Sequence, residues 1–339
     1  MLPEIVRAAA SNFNDKTAIE CENNISLSYK DLDRISDEVS GALLKRGLIE
    51  GSIVLLSLPT SIEYLIIYIA ASKIGVVAAG VNPRLKALER RAICEITEPD
   101  LVITTLDLSD GIPTGISVET IEITENREKL LIDLRSDSFQ PRKLEENPDR
   151  AVCVCFTSGS TGTPKGALFT NKELFAIQKM DTEGVWGTGG HLVPNTAFAH
   201  VGSMTKLPWQ LSKGLTLHVL DRWKAEKVLE LVEKHRISAI AGVSAQIALL
   251  LKVDNLENYD LNCVKAVVAG GGPSPPALVV RAKNSFNAPY SIRYSSTESG
   301  GIGLATSLEA SLEESLYTIG KPRLGVQAKI LGEDGDLVN

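Results

Sequence analysis

The chain has 339 residues, 44% of them hydrophobic, enough to bury an extensive core and to favour two domains over one. Its 42 acidic residues against 35 basic ones give a formal charge of -7, which excludes a general attraction to nucleic acid or anionic lipid, so any phosphate binding must be local. Five cysteines without CxxC spacing argue against a disulfide framework or a zinc site and suit a reducing cytoplasm. The N-terminus MLPEIVRAAASNFND has no basic start followed by an apolar run, so no secretory leader is visible. Residues 28–47 carry apolar side chains at helical spacing and end on Gly47, a natural helix stop. Residues 52–58 read as a buried strand, SIEYLIIYIAASKIG as the next helix, VVAAGVN as a strand before Pro83, and residues 100–105 as another strand. The apolar stretch 64–81 is interrupted by Lys73 and changes character at Gly75, so a helix running into a buried strand is expected there, and no membrane span.

Residues 106–149 are weakly patterned and punctuated by Gly111, Pro113, Gly115, Pro141 and Pro148, which predicts a connector between two lobes. The second lobe is expected to start with a strand over 151–156, in which Cys153 and Cys155 share one core face. A helix over 225–235 and strands over 237–243 and 263–269 follow. Such alternation predicts an α/β architecture with largely parallel sheets. The final VQAKILGEDGDLVN reads as a strand, a turn and a second strand barely begun, a pattern expected to continue beyond this sequence.

The segment FTSGSTGTPKGAL (residues 156–168) directly follows the apolar strand AVCVC. Hydroxyls, close-approach backbone N–H groups and the mobile charge of Lys165 are what wrapping phosphate oxygens requires. A Walker A loop needs Gly before its Lys and Ser or Thr after it; here Pro164 precedes Lys165 and Gly166 follows, which sets a P-loop kinase aside. TSGSTGTPKG is similar to the signature loop of the ANL superfamily of acyl-CoA synthetases, peptide-synthetase adenylation domains and luciferases. The resemblance implies that Thr157, Ser158, Gly159, Ser160, Thr161, Gly162 and Lys165 bind the β- and γ-phosphates of ATP.

Three further segments carry the same resemblance. NTAFAHVGS (residues 195–203) is similar to the PxFHxxG stretch of acyl- and aryl-CoA synthetases and makes His200 a catalytic candidate, while His191, His218 and His235 read as structural or exposed. Amino-acid-activating relatives carry an Asp in this region to pair with the substrate ammonium; no acidic residue occurs over 191–220, which favours an acid without an α-amino group. AGGGPSPP (residues 269–276) resembles the family's GGAP turn, where the backbone of Gly271, Gly272 and Pro273 approaches adenine and substrate; a plain strand-to-helix turn is the other reading of the same glycines. YSSTE (residues 294–298) resembles the YGxTE motif, with Ser295 in place of the usual Gly and Ser296 beside it in the nucleotide-binding turn. The resemblance implies that Tyr294 packs on adenine, Thr297 contacts the α-phosphate and Glu298 holds Mg²⁺, roles that suit an aromatic face, a hydroxyl and a hard carboxylate.

The resemblance covers nearly the whole chain and implies two stacked doubly wound αβα subdomains, over 1–150 and 151–318, with the start of a small β-barrel subdomain over 319–339. The family's small C-terminal domain, whose Lys acts in adenylation, has no counterpart here. The implied activity is ATP-dependent conversion of a carboxylic acid to acyl-AMP, with Mg²⁺, then thioester formation with coenzyme A. Without the lysine domain, this chain is expected to bind ATP and acyl-AMP and to turn over slowly. Val201, Met204, Val243 and Ile302 suggest an apolar pocket for a fatty, alicyclic or aromatic acid. The pattern leaves room for a homodimer, for an acyl carrier protein as acceptor, and for a non-catalytic nucleotide or acyl-adenylate binding module.

Overall fold

Residues 62–73 are apolar on nearly every face, and the helix they form, Ile62–Lys73, is buried throughout. Ser61 caps it by accepting the Tyr64 N–H at 3.4 Å. Lys73, at its last turn, is fully buried, and its ammonium reaches Asp33 Oδ1 and Asp37 Oδ1 on the helix Tyr29–Lys45, each at 2.6 Å. That helix starts where Ser28 accepts the Asp31 N–H, and the expected stop at Gly47 follows with φ +86°.

The computed structural model describes residues 1–22, 25–136, 139–157, 164–182 and 190–338. It divides into two units, Met1–Leu231 and Val232–Asn339. The strands of the first unit are β1 (Thr17–Cys21), β2 (Ser26–Ser28), β3 (Ile53–Ser57), β4 (Val77–Gly80), β5 (Leu101–Thr104), β6 (Val118–Thr120), β7 (Ala151–Thr157), β8 (Lys165–Thr170), β9 (His191–Leu192) and β10 (Thr216–Val219). They form a four-stranded sheet, β2-β1-β10-β9, and a six-stranded sheet, β6-β5-β3-β4-β7-β8. The larger sheet is parallel except at β8, which returns antiparallel to β7. Its core includes Leu55, Ala79, Ile93 and Val102.

The second unit holds β11 (Ala239–Val243), β12 (Ala266–Gly270), β13 (Tyr290–Tyr294), β14 (Leu304–Ala305) and β15 (Lys321–Pro322), ordered as numbered. The first three are parallel and the last two antiparallel.

Two expectations need correction. The division falls at 231/232 and not at 150, because β7 pairs with β4 (Ala78↔Cys153) and completes the first large sheet, burying Cys153 and Cys155 as it does so. Nor is 106–149 a bare connector: β6 extends the same sheet beside β5, Leu130 and Leu134 are buried, and Arg135 pairs with Glu38 at 2.5 Å. At the other end, β15 adds an edge to the second sheet, and a bridge between Leu331 and Leu337 closes the GEDG turn over Gly335, at φ +85°. Among the described residues, no helix is long and apolar enough to cross a membrane.

Candidate active site

The sequence-picked residues fall on both units. On the first, Thr157 ends β7 and Lys165 starts β8, and the two are register partners at the mouth of an antiparallel pair. Thr157 Oγ1 donates to the Lys165 carbonyl at 3.4 Å, and the Lys165 side chain is exposed. The two ends of the signature loop therefore leave one rigid ladder side by side. Ser158, Gly159, Ser160, Thr161 and Gly162 lie outside the described residues.

His200 is half-buried and precedes the short helix Val201–Met204. Tyr68 Oη donates to the Met204 carbonyl at 3.1 Å and Tyr64 Oη to Met204 Sδ at 3.3 Å, so the buried helix Ile62–Lys73 holds this segment from beneath. Burial of the imidazole, and after it the positive charge of Arg84, hold the His200 pKa below its ordinary 6.5, so the ring is neutral near neutral pH. Its Nε2 lies 3.1 Å from Asn82 Nδ2.

His200 lines a cavity of about 270 Å³ together with Gly80, Asn82, Leu88, Ile93, Phe156, Thr157 and Pro164, so the lip of the signature loop and the histidine share one hollow. Gly80 is its floor: a Cβ there would stand 2.5 Å from Tyr64 Oη and 2.8 Å from Met204 Sδ. Asn82, Gly80 and Phe156 were not singled out by sequence reasoning. The one available signal was the Asn-Pro-Arg run after an apolar strand, in which a short amide beside proline closes a turn. Met204, expected near the acid pocket, is buried beneath Gly80, and Ile302 is buried in the second unit. A shallower hollow of about 530 Å³, lined by Cys94, Glu98, Asp100 and Ile116, contains none of the predicted site residues.

His191 and His218 stand on neighbouring strands β9 and β10, with Nδ1 and Nε2 2.8 Å apart, and Glu20 lies 3.7 Å from His218. The two rings stack, with centroids 5.1 Å apart.

In the second unit, the parallel register aligns Val243, Gly270 and Arg293, so β11, β12 and β13 end at one edge. Ligands of open α/β sheets sit at such carboxyl edges. Gly271, Gly272 and Pro273 leave β12 at that edge, and Tyr294 to Glu298 leave β13 beside them. Gly271 adopts φ +73°, a conformation that a side chain would strain, and nothing lies within 4 Å of a Cβ built on Gly272. Ser274 Oγ, 2.9 Å from Ser244 Oγ and 3.1 Å from Tyr290 Oη, pins the turn to the sheet. The next turn is closed by Ser299, whose Oγ accepts the Ser296 N–H at 3.1 Å and whose N–H reaches Ser296 Oγ at 3.2 Å. Tyr294, Ser295, Ser296 and Glu298 are exposed there and Thr297 half-buried. These groups present an aromatic face, hydroxyls and a carboxylate from one short stretch, an all-oxygen donor set that suits a hard cation and phosphate.

The family model for AMP-binding enzymes matches residues 6–339. The chain is 24% identical over 314 residues to 4-coumarate-CoA ligase 1 of Narcissus pseudonarcissus, covering 86% of this chain and 56% of that protein. It is 24% identical over 329 residues to the long-chain-fatty-acid–CoA ligase FadD13 of Mycobacterium tuberculosis, covering 94% and 64%. It thus spans 56% and 64% of the length of these two relatives. Its fold is similar to that of the inhibitor-bound N-terminal domain of FACL13 from Mycobacterium tuberculosis, with a TM-score of 0.90 at 22% identity, covering 99% of this chain and 86% of that one.

Proposed function

The chain belongs to the AMP-binding enzyme family, and from that premise we propose that it binds ATP and activates a non-amino carboxylic acid as acyl-AMP, for transfer to the thiol of coenzyme A. The observation that carries the proposal is the pairing of Thr157 with Lys165 across the mouth of the signature loop. In this reading Lys165 neutralises the β- and γ-phosphates, as a point charge on an exposed stem does well. Tyr294 stacks on adenine, the backbone of Gly271 to Pro273 lies along it, and the Thr297 hydroxyl donates to the α-phosphate.

The carboxylate of the acid attacks the α-phosphorus, the bond to the bridging oxygen of pyrophosphate breaks, and acyl-AMP forms. The thiol then adds to the acyl carbon and AMP leaves. Carboxylate and polyphosphate repel each other, so rate comes from positioning and charge neutralisation. Glu298 is the residue that would hold Mg²⁺, which when bound neutralises phosphate charge. The absence of acidic residues over 191–220 supports an acid without an amino group, and the apolar side chains of Leu88, Ile93 and Phe156 support a hydrophobic one. The relatives named as coumarate and fatty-acid ligases agree with both features. Five free thiols suit a reducing compartment such as the cytosol.

The test is exchange of labelled pyrophosphate into ATP across a panel of fatty, alicyclic and aromatic acids. The expected result is exchange that depends on an acid and disappears in Lys165→Ala. Exchange with amino acids alone, or ATP hydrolysis to ADP, would overturn the proposal.

A further inference from the structure

The amide of Asn82 has only one orientation that its neighbours accept. Pro83 has no N–H, and the next one along the chain, that of Arg84, points at Asn82 Oδ1 at 3.0 Å. Rotating the amide by half a turn would bring Nδ2 against that N–H, donor against donor. Asn82 Nδ2 therefore faces His200 Nε2, at 3.1 Å, and an amide nitrogen can only donate. The His200 Nε2 must then be the acceptor, with the ring proton on Nδ1.

The charged side chains close to this pair are Arg84, on the same turn as Asn82, and Glu89, which lines the cavity from the helix Ala87–Thr97. From the other elements around the cavity come Phe156, Thr157, Pro164 and Ala199, none of which titrates. The Arg84 charge and burial both oppose a second proton on the ring, in agreement with the hydrogen-bond argument.

We propose that Asn82 is a positioning residue that holds His200 as the neutral imidazole protonated on Nδ1. The proposal rests on the adenylate-forming reading for its consequence, though not for its geometry. An imidazolium beside a carboxylate substrate would form an ion pair that stabilises the ground state more than the transition state. A neutral ring with a single fixed donor orients the acid and leaves its oxygen free to attack phosphorus.

Imidazole nitrogen NMR on this chain tests the assignment, with the His200 signals identified by their loss in His200→Gln. In the unaltered protein, the expected pattern has a protonated Nδ1 and an unprotonated Nε2 near neutral pH. In Asn82→Asp the carboxylate accepts where the amide donated, so the proton moves to Nε2 and the ring takes a second proton at a pH about ten- to a hundredfold higher in proton affinity, roughly one to two pH units. Asn82→Leu, which keeps volume but removes the donor, gives a mixture of tautomers. A proton on Nε2 in the unaltered protein, or an unchanged ring in Asn82→Asp, overturns the proposal. The first measurement needs only the assignment variant His200→Gln to fold.

The kinetic arm uses acid-dependent pyrophosphate exchange. Asn82→Asp should lower both kcat and the KM for the acid and add a new acidic limb to the pH profile, neither of which a merely structural role would do. If no acid supports exchange in the unaltered protein, the adenylate reading fails and the NMR result still decides the tautomer.

Discussion

Thr157 and Lys165 are the last register pair of the β7–β8 ladder, with the Thr157 hydroxyl on the Lys165 carbonyl at 3.4 Å. A loop anchored in this way has fixed ends, and the charge of Lys165 is delivered at a defined place without its side chain being buried. Lys165→Ala should weaken ATP binding by about 10- to 100-fold, the worth of one charge-assisted contact to phosphate, and leave the melting temperature within a degree or so of the original because the side chain is exposed. Titration calorimetry with ATP checks the first and thermal denaturation the second. Undiminished affinity would remove Lys165 from the site.

Glu298 stands exposed on a turn held by the Ser296–Ser299 pair, so its carboxylate can be changed without disturbing the sheet. Glu298→Gln should reduce magnesium-dependent adenylation by roughly a hundredfold, as losing a charge-stabilising group at a phosphoryl centre does. AMP binding measured without magnesium should stay the same. A loss of AMP affinity equal to the loss of rate would instead place Glu298 on the nucleoside.

Lys73 is fully buried against Asp33 and Asp37, and removing it strands two carboxylates near the core. Lys73→Ala should destabilise the fold by about 3–5 kcal/mol. The triple change Lys73→Met, Asp33→Asn and Asp37→Asn should recover most of that, because no unpaired charge is left. Urea unfolding of both variants compares them, and an equal loss in each would mean that packing, and not charge, holds the two helices together.

Gly80 is flanked by Tyr64 Oη, Met204 Sδ and the Ala199 backbone, all under 3 Å from a built Cβ. Gly80→Ala should cost about 1–3 kcal/mol in overpacking and narrow the cavity beside His200, raising the KM for the acid more than that for ATP. Adding Tyr64→Phe removes the nearest of those atoms and should return part of the stability. If the pair is no more stable than Gly80→Ala alone, the Ala199 backbone contact sets the cost.

How much of this was legible depended on how local each signal is. The helix Ala225–His235 has the bounds that its apolar spacing predicted, and β3, β4, β5 and β7 lie where apolar runs predicted them, because period and caps are properties of neighbouring residues. β8 was not foreseen, since Lys165 and Gly166 read as the end of a loop and not as the start of a strand. The four-stranded sheet was invisible for a different reason: β1 pairs with β10, joining Ile19 to Leu217, and short strands brought together over such separations leave no periodic trace. Thr157, Lys165, Thr297 and Glu298 drew attention through motifs that resemble the family's. Asn82 did not, because its importance lies in what its amide meets across the fold, at His200.

The most direct test of adenylate formation follows oxygen. A carboxylic acid carrying heavy oxygen in both carboxyl positions is incubated with ATP, magnesium, coenzyme A and the protein, and the products are weighed by mass spectrometry. Attack of the carboxylate on the α-phosphorus followed by cleavage of the acyl–oxygen bond must leave one heavy oxygen on AMP and none on pyrophosphate. Heavy oxygen appearing in inorganic phosphate together with ADP, or AMP that stays light while thioester accumulates, would contradict it.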